Sequence, residues 1–340
     1  MKNWIYKQCN NDDIVLSSMI SLSRNLKEVP FSNKLTTIEA RKNVELIYDI
    51  FKNEIIDEEI HLHQLWNEDK EISNSYVDKH LISKELIKNR DKTAFILNKE
   101  ETISIMINEE DHLRLQCISA GLDLDEVFRS ITKLDDKIER NAHYAFDENL
   151  GYLTTCPTDI GTGMRASVNM HLPALTFSDE IANFAKGLTQ IGMTMRGIYE
   201  EGTKSYGNIY KISNQVTLGL TEEEIIGNLK GVVLNVISEE KKFREVLLSK
   251  CKYEIEDKIY RAYGTLKSAV LLGAKESIDL LSSVRLGVEL SLLDIEKTKL
   301  NELLIITRDS SLQNYLGRKL SSKELNYERA KIIKIILKET

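Results

Sequence analysis

Glycine and proline are spread so unevenly along this chain that they constrain its organisation more than any other feature. No glycine occurs before Gly121, eleven of the sixteen fall between Gly151 and Gly231, and only Gly264, Gly273, Gly287 and Gly317 follow. All three prolines, Pro30, Pro157 and Pro173, precede residue 174. Glycine permits tight turns and close backbone approach to a ligand, so the middle third is where loops and a site are expected. Roughly the last hundred residues, poor in breakers and rich in Leu, Ile, Lys and Glu, are expected to be helical.

Apolar spacing refines this outline. Residues 36–68 carry helical spacing through Ile38, Val44, Ile47, Ile50 and Phe51. From Thr93 the period changes to two: residues 94–97 and then Ile103, Ile105 and Ile107 predict a β-hairpin across the polar 98–101. Residues 113–117 alternate as a further strand with Arg114 and Gln116 on one face, and residues 123–141 return to helical period. Ser178 is expected to open a helix, and 193–199 and 208–214 to form two strands. Thr221 with Glu224 makes a capping box before a long helix. Strands and helices mix without regular βαβ alternation, which favours α+β: an antiparallel sheet flanked by helices, then an all-α C-terminal domain. The boundary is placed at residue 245. Beyond it, Leu281, Val284, Val288, Leu292 and Ile295 are spaced for a second core or a dimer seam.

Composition sets limits. At 340 residues and 42% apolar content, two domains with real cores are the natural expectation. A net charge of −7 argues against nucleic-acid binding through the overall field. No run approaches the roughly 18 apolar residues of a membrane span, and the N-terminal residues lack the apolar stretch of a signal peptide. Cys9, Cys117, Cys156 and Cys251 are scattered without a CxxC pair. A reduced, cytoplasmic protein is expected.

Three segments carry candidate chemistry. Asn108-Glu109-Glu110-Asp111-His112-Leu113-Arg114 sets three acids, a His and an Arg at a strand end, which suits a site and a solvated turn equally. Residues 155–167, TCPTDIGTGMRAS, place Cys156 before a Gly-rich turn ending in Arg165, a pattern fit for anion binding or for a mere change of direction. The third runs from Arg196-Gly197-Ile198-Tyr199-Glu200-Glu201-Gly202 to Gly207-Asn208-Ile209-Tyr210-Lys211-Ile212-Ser213-Asn214. No GxxxxGK[ST] loop and no HRD and DFG set accompanies them. His61 and His63 lack a third ligand at metal spacing.

In order and spacing these segments resemble the phosphagen (guanidino) kinase family, most of all its bacterial protein-arginine kinase branch. The resemblance spans residues 12–245 and continues more loosely through 281–287 and 312–315 to the C-terminus. It implies transfer of the ATP γ-phosphoryl group, with Mg2+, to the guanidinium of protein arginines. By motif match Glu110 and Glu201 would grip the guanidinium and accept its proton, and Cys156 would be the reactive cysteine near the substrate. Arg114, Arg165 and Arg196, with Gly197, would surround the phosphates. Ser17, Ser18, His80, Ala166, Ser167 and Val168 match nucleotide-contacting positions. The resemblance also implies a homodimer, substrates with exposed arginine, a McsA-type activator, a CtsR-type repressor as target and a ClpC-type protease downstream. A small-molecule phosphagen kinase fits less well, because that branch has a separate helical N-terminal domain.

Departures from the pattern bear on activity. The family motif SSRxRxxRN is Ser17-Ser18-Met19-Ile20-Ser21-Leu22-Ser23-Arg24-Asn25 here, so Met19 and Ser21 replace two phosphate-binding arginines. Asp159 stands for Asn and Glu200 for Gly. One unit charge at about 5 Å, in an effective dielectric near 20, is worth roughly 3 kcal/mol before screening. Weaker ATP binding or slower transfer is therefore expected, with Arg24 or a nearby lysine left to compensate. A degenerate kinase acting as a binding or adaptor module is the alternative. In the tail, the RDxxRA motif of a phosphoarginine pocket keeps only Arg329-Ala330, so activation by phosphoarginine is expected to be weak or absent.

Overall fold

A computed structural model describes residues 4–6, 13–54, 59–201 and 204–338, with the backbone alone given for Tyr6, Asn53, Glu54, Glu200, Glu201 and Lys204. The chain opens with β1 (Val15–Arg24), α1 (Thr37–Glu54), β2 (Ile60–Gln64) and α2 (Lys70–Asp78). The predicted hairpin and strand follow as β3 (Ala94–Asn98), β4 (Ile103–Ile107) and β5 (Leu113–Ala120), then α3 (Leu124–Glu139). Short β6 (Phe146–Asp147) and β7 (Gly151–Tyr152) precede β8 (Met164–His171), α4 (Pro173–Phe177) and α5 (Ile181–Gln190). β9 (Met193–Gly197), β10 (Glu200–Glu201), β11 (Lys204–Ser205) and β12 (Ile209–Asn214) lead into α6 (Glu222–Lys250). The tail is helical throughout: α7 (Lys252–Ser268), α8 (Ala274–Glu289), α9 (Lys297–Ile306), α10 (Asp309–Leu316) and α11 (Ser322–Lys338).

Eight strands form one antiparallel sheet in the order β2-β3-β4-β5-β1-β8-β12-β9. Period-two alternation gives it two distinct faces. Ile20, Leu22, Ile105, Leu115, Ala166, Val168 and Ile212 point to one face and meet Val44, Ile47 and Phe51 of α1, Val127 and Ile131 of α3, and Leu229 and Val233 of α6. The apolar stripe of α3 and the Thr221–Glu224 capping box of α6, both legible in the residues, set these helices down on the sheet. On the other face Met19, Phe95, Met106 and Ile118 pack under Leu81, Leu86 and Ile305.

The helix expected over 36–68 stops at Glu54, and Ile60–Gln64 pairs with β3 as an edge strand. Its His61 and His63 alternate with Ile60 and Leu62, and His63 stacks on Phe95 with ring centroids 4.7 Å apart. Ser178 closes α4 instead of opening a helix, because Asp179 adopts φ 57 and breaks the run before α5. α6 runs unbroken past residue 245 to Lys250. Leu281, Val284, Val288 and Ile295 pack within this chain's own C-terminal core, and Leu292 joins a smaller cluster beside it. Within the chain, that stripe is largely taken up by a second core.

The tail is fastened to the sheet. Ser282 Oγ lies 2.8 Å from His171 Nε2 and accepts from Asn208 Nδ2 at 2.8 Å, and Gly207 N donates to Asp279 Oδ1 at 2.7 Å. Arg308 Nε donates to Asp78 Oδ1 at 2.9 Å. No helix among the described residues is long and apolar enough to cross a membrane.

Candidate active site

Directly opposed residues in an antiparallel pair share a face. Ser23 opposes Arg114, and Ser21 opposes both Gln116 and Arg165, so β5, β1 and β8 present these side chains together. Met19 opposes Ser167 and Ser17 opposes Asn169. Lys211 opposes Asn169 on one side and Arg196 on the other, carrying the same face to β12 and β9. Arg114, Arg165, Arg196 and Lys211 therefore converge on one face, with the small Ser17, Ser21, Ser167 and Ser213 between them. Four cations over a floor of serines form a surface suited to a polyanion.

The neighbouring groups differ in how firmly they are held. Arg114 Nη1 donates to Glu109 Oε2 at 3.2 Å, and Glu109 also accepts from Ser83 Oγ. Arg165 donates to Asp159 Oδ1 from Nε at 2.8 Å and Nη2 at 2.5 Å, and from Nη1 to Asn214 O at 3.1 Å. Arg196 pairs with no carboxylate among the described residues. Lys211 likewise has no such partner, and its pKa is pushed down to about 8 by burial first and then by Arg114 and Arg165.

The acidic heptad divides into scaffold and site. Asp111 Oδ1 accepts from Asn25 Nδ2 at 2.6 Å and Thr155 N at 2.7 Å. His112 Nδ1 accepts from Leu26 N at 3.0 Å and its Nε2 meets Pro30 O at 2.8 Å, which fixes the neutral Nε2–H tautomer; burial lowers its pKa. Glu110 is left exposed with no side-chain partner among the described residues. Burial, then Asp111, Glu109 and Asp159, raises its pKa, with Arg114 opposing. Thr155 Oγ1 donates to Glu110 O at 3.0 Å, tying this turn to the segment of Cys156. Cys156 is half-buried with Sγ 3.0 Å from Thr158 Oγ1, which in turn accepts from Arg165 Nη2 at 3.2 Å. Glu201 lies in β10, paired with Lys204, but its side chain, that of Glu200 and all of Gly202 lie outside the described residues.

His80 sits behind the cations with φ 62, its carbonyl accepting from Gln116 Nε2 at 2.8 Å. Burial, then Lys211 and Arg308, pushes its pKa down to about 3, so the ring is neutral. It borders a narrow, mainly apolar cavity with Leu16, Ser17, Asn169, Ile198 and Tyr199. Asn169 Nδ2 donates to Ser17 Oγ at 2.9 Å while its Oδ1 has no partner. Gly197 opposes Tyr210 at the end of β9.

The side chains of several expected contacts turn away from the cationic face. The side chains of Ala166 and Val168 point into the helix-covered core, so only Ser167 of that trio faces the cations. Ser18 also faces away, donating to Gly121 O at 2.7 Å and accepting from Asp123 N at 3.0 Å. Arg24 cannot stand in for the missing arginines. It is buried on the helix side, donates to Asp135 Oδ2 from Nε at 3.0 Å and Nη2 at 2.6 Å, and lies 3.5 Å over the Tyr152 ring. The GTG turn clasps neighbouring strands. Thr162 N donates to Thr217 O, and a Cβ at Gly163, where φ is 63, would come within 2.7 Å of Ser23 O.

Residues 42–243 match the catalytic-domain family of ATP:guanido phosphotransferases, and residues 252–340 match the C-terminal domain family of the protein-arginine kinase McsB. The chain is 75% identical over 337 residues to a protein-arginine kinase of Clostridium botulinum, covering 99% of both chains. This chain belongs to the protein-arginine kinase family. A protein-arginine kinase of Clostridium kluyveri is 52% identical with 98% of both chains covered. The solved lombricine kinase aligns with a TM-score of 0.58 at 25% identity, covering 68% of this chain and 67% of that one. A duplicated taurocyamine kinase of Schistosoma mansoni gives 0.61 at 23% identity, over 76% of this chain and 39% of that one, a likeness of fold.

For a protein-arginine kinase of this sequence, Lys211 is the residue that motif reasoning passed over. It lies in the strand segment IYKISN, where only the register with Arg196 and Asn169 reveals that it shares the cationic face.

Proposed function

We propose that this protein transfers the γ-phosphoryl group of ATP to arginine side chains of proteins. The observation that carries the reading is the free Glu110 carboxylate at the rim of a face where Arg114, Arg165, Arg196 and Lys211 converge. A substrate guanidinium is always charged and nucleophilic only once oriented and relieved of a proton. Glu110, joined by Glu201 from the β10 turn, would grip it through paired N–H donors and take the proton as the N–P bond forms and the bond to ADP breaks. A raised carboxyl pKa makes Glu110 a better proton acceptor than an ordinary glutamate. The cations offset the charge spread over the phosphoryl oxygens. Among the described residues no three His, Cys, Asp or Glu side chains cluster to hold a metal. Mg2+ in this reading is carried on the nucleotide's own phosphates, and no step is assigned to it.

Residues 1–245 are the catalytic domain in this reading and 246–340 the helical one. A homodimer, a cytoplasmic location, a McsA-type activator, a CtsR-type target and marking for a ClpC-type protease extend the proposal on family resemblance. Phosphoarginine is not an activator in it. Arg329 is buried and donates to Thr307 O, Leu272 O, Asn326 Oδ1 and Asp309, which leaves no open guanidinium edge for an anion.

One observation favours the adaptor alternative: Arg24 is committed to Asp135 and Asp159 occupies Arg165, so the nucleotide face is short of free charge. Intact-mass analysis of an arginine-rich protein incubated with the kinase and ATP·Mg2+, beside an ATP-binding titration, separates the two. Phosphoryl adducts on arginine, lost in Glu110→Gln and Glu201→Ala, are expected. No adduct and no nucleotide binding would leave the adaptor.

A further inference from the structure

Lys211 is placed as no structural lysine needs to be. Its strand neighbours Tyr210 and Ile212 face the helix-covered core, which turns Lys211 to the opposite face beside Asn169 and Arg196. No carboxylate among the described residues pairs with its ammonium, and the charges that act on it, Arg114 and Arg165, are both positive. Two of the site's acids are engaged by other cations, Glu109 by Arg114 and Asp159 by Arg165. A partly desolvated cation beside two others is unfavourable alone and becomes favourable when a polyanion arrives among all three.

The same face shows what the lysine answers. Ser21 opposes Arg165 and Met19 opposes Ser167, so both positions that lost an arginine lie on this surface, one strand from β8. Lys211 approaches from β12 on the other side of β8. We propose that Lys211 binds the phosphate chain of the nucleotide, supplying from β12 the positive charge that Met19 and Ser21 no longer supply from β1. The inference rests on the phosphoryl-transfer reading above and adds a phosphate-binding residue to it. A lysine makes the contact as a compact point charge on a flexible stem, tolerant of a phosphate position that a bidentate arginine would have fixed.

The test uses the full-length protein. Calorimetric titrations of ATP and adenosine are compared for wild type, Lys211→Met and Lys211→Arg, alongside kcat and KM for ATP and for a protein substrate. Lys211→Met is expected to weaken ATP binding by about tenfold or more, with adenosine binding and protein-substrate KM unchanged, and Lys211→Arg to recover most of the loss. Equal ATP affinity in Lys211→Met, or equal losses for ATP and adenosine, overturns the proposal while leaving the kinase reading in place. A wild-type protein that neither binds ATP nor phosphorylates arginine overturns both. Should Lys211→Met not fold, amine-selective acylation of the wild type followed by peptide mass analysis decides. ATP is expected to protect Lys211 where adenosine does not, and modification indifferent to ATP counts against the proposal.

Discussion

Asp159 restrains the arginine it touches. Both Nε and Nη2 of Arg165 converge on Asp159 Oδ1, so a nucleotide phosphate must displace that carboxylate or bind against it. The pair is part-exposed, which holds its net worth to about 1 kcal/mol. Asp159→Asn is therefore expected to lower the KM for ATP by about fivefold without touching the protein-substrate KM, as steady-state kinetics would show; an unchanged or higher KM would count against the restraint. Glu110 offers a pH signature. Its pKa is raised by burial and by the acids around it, and the proton-accepting form is the one lost as pH falls. Activity should begin to drop at a higher pH than an ordinary glutamate would give, and Glu110→Gln should fall by about 10²–10⁴ with that acid limb gone. If Glu110→Gln kept both its rate and the limb, the role assigned to Glu110 would be wrong.

Elements were legible where a single physical signal set them. The stripe of Val127, Ile131, Leu134 and Ile138 is one buried face of α3, and the start of α6 is written in Thr221 and Glu224. Thr221→Ala removes the bond that Thr221 Oγ1 accepts from Glu224 N, leaves the one from Thr221 N to the Glu224 carboxylate, and should lower stability by about 1 kcal/mol in urea titration. The central strands β1 and β8 gave no comparable pattern. Both of their faces are buried, and the site face of β1 is serine and methionine where alternation would show charge. The site was legible as motifs, but its floor was not, because opposed pairs such as Ser21 and Arg165 depend on register, which one strand alone does not encode. Equally hidden was the corner between α9 and α10. There Arg308 lies 4.5 Å from the Tyr199 ring centroid and bonds Asp78, two residues before His80. Burial raises the Asp78 pKa even with this partner. Arg308→Met should cost about 2 kcal/mol by removing a charged hydrogen bond from Asp78, which keeps only Ser311 N and Oγ at 3.2 and 3.3 Å, and should reduce kcat by loosening Tyr199 beside His80. Adding Asp78→Asn should restore the melting temperature and not the rate, and a double variant that recovers both would reduce Arg308 to a structural role.

At the scale of the whole molecule, the sheet and the C-terminal helices are joined through a histidine that must stay neutral. His171 is fully buried on β8 with Nε2 on Ser282 Oγ of α8, and burial, then Arg285 and Arg244, holds its pKa well below the usual value. The unfolded chain binds a proton near pH 6.5 that the folded one refuses. His171 thus contributes its full stability above about pH 6.5 and loses it as pH falls, by about 1.4 kcal/mol per pH unit below that point. His80 and His112, also lowered, act in the same direction. Asp78, Glu240 and Glu289 have raised values and oppose them near pH 4–5, so total acid sensitivity alone would not isolate the interface. A difference measurement does. Between pH 7 and 5.5, His171→Gln, which keeps a donor for Ser282 and cannot titrate, should lose about 1 kcal/mol less than wild type in urea titration. Parallel losses in the two proteins would show that acid opens this molecule somewhere other than the seam between its catalytic sheet and its helical tail.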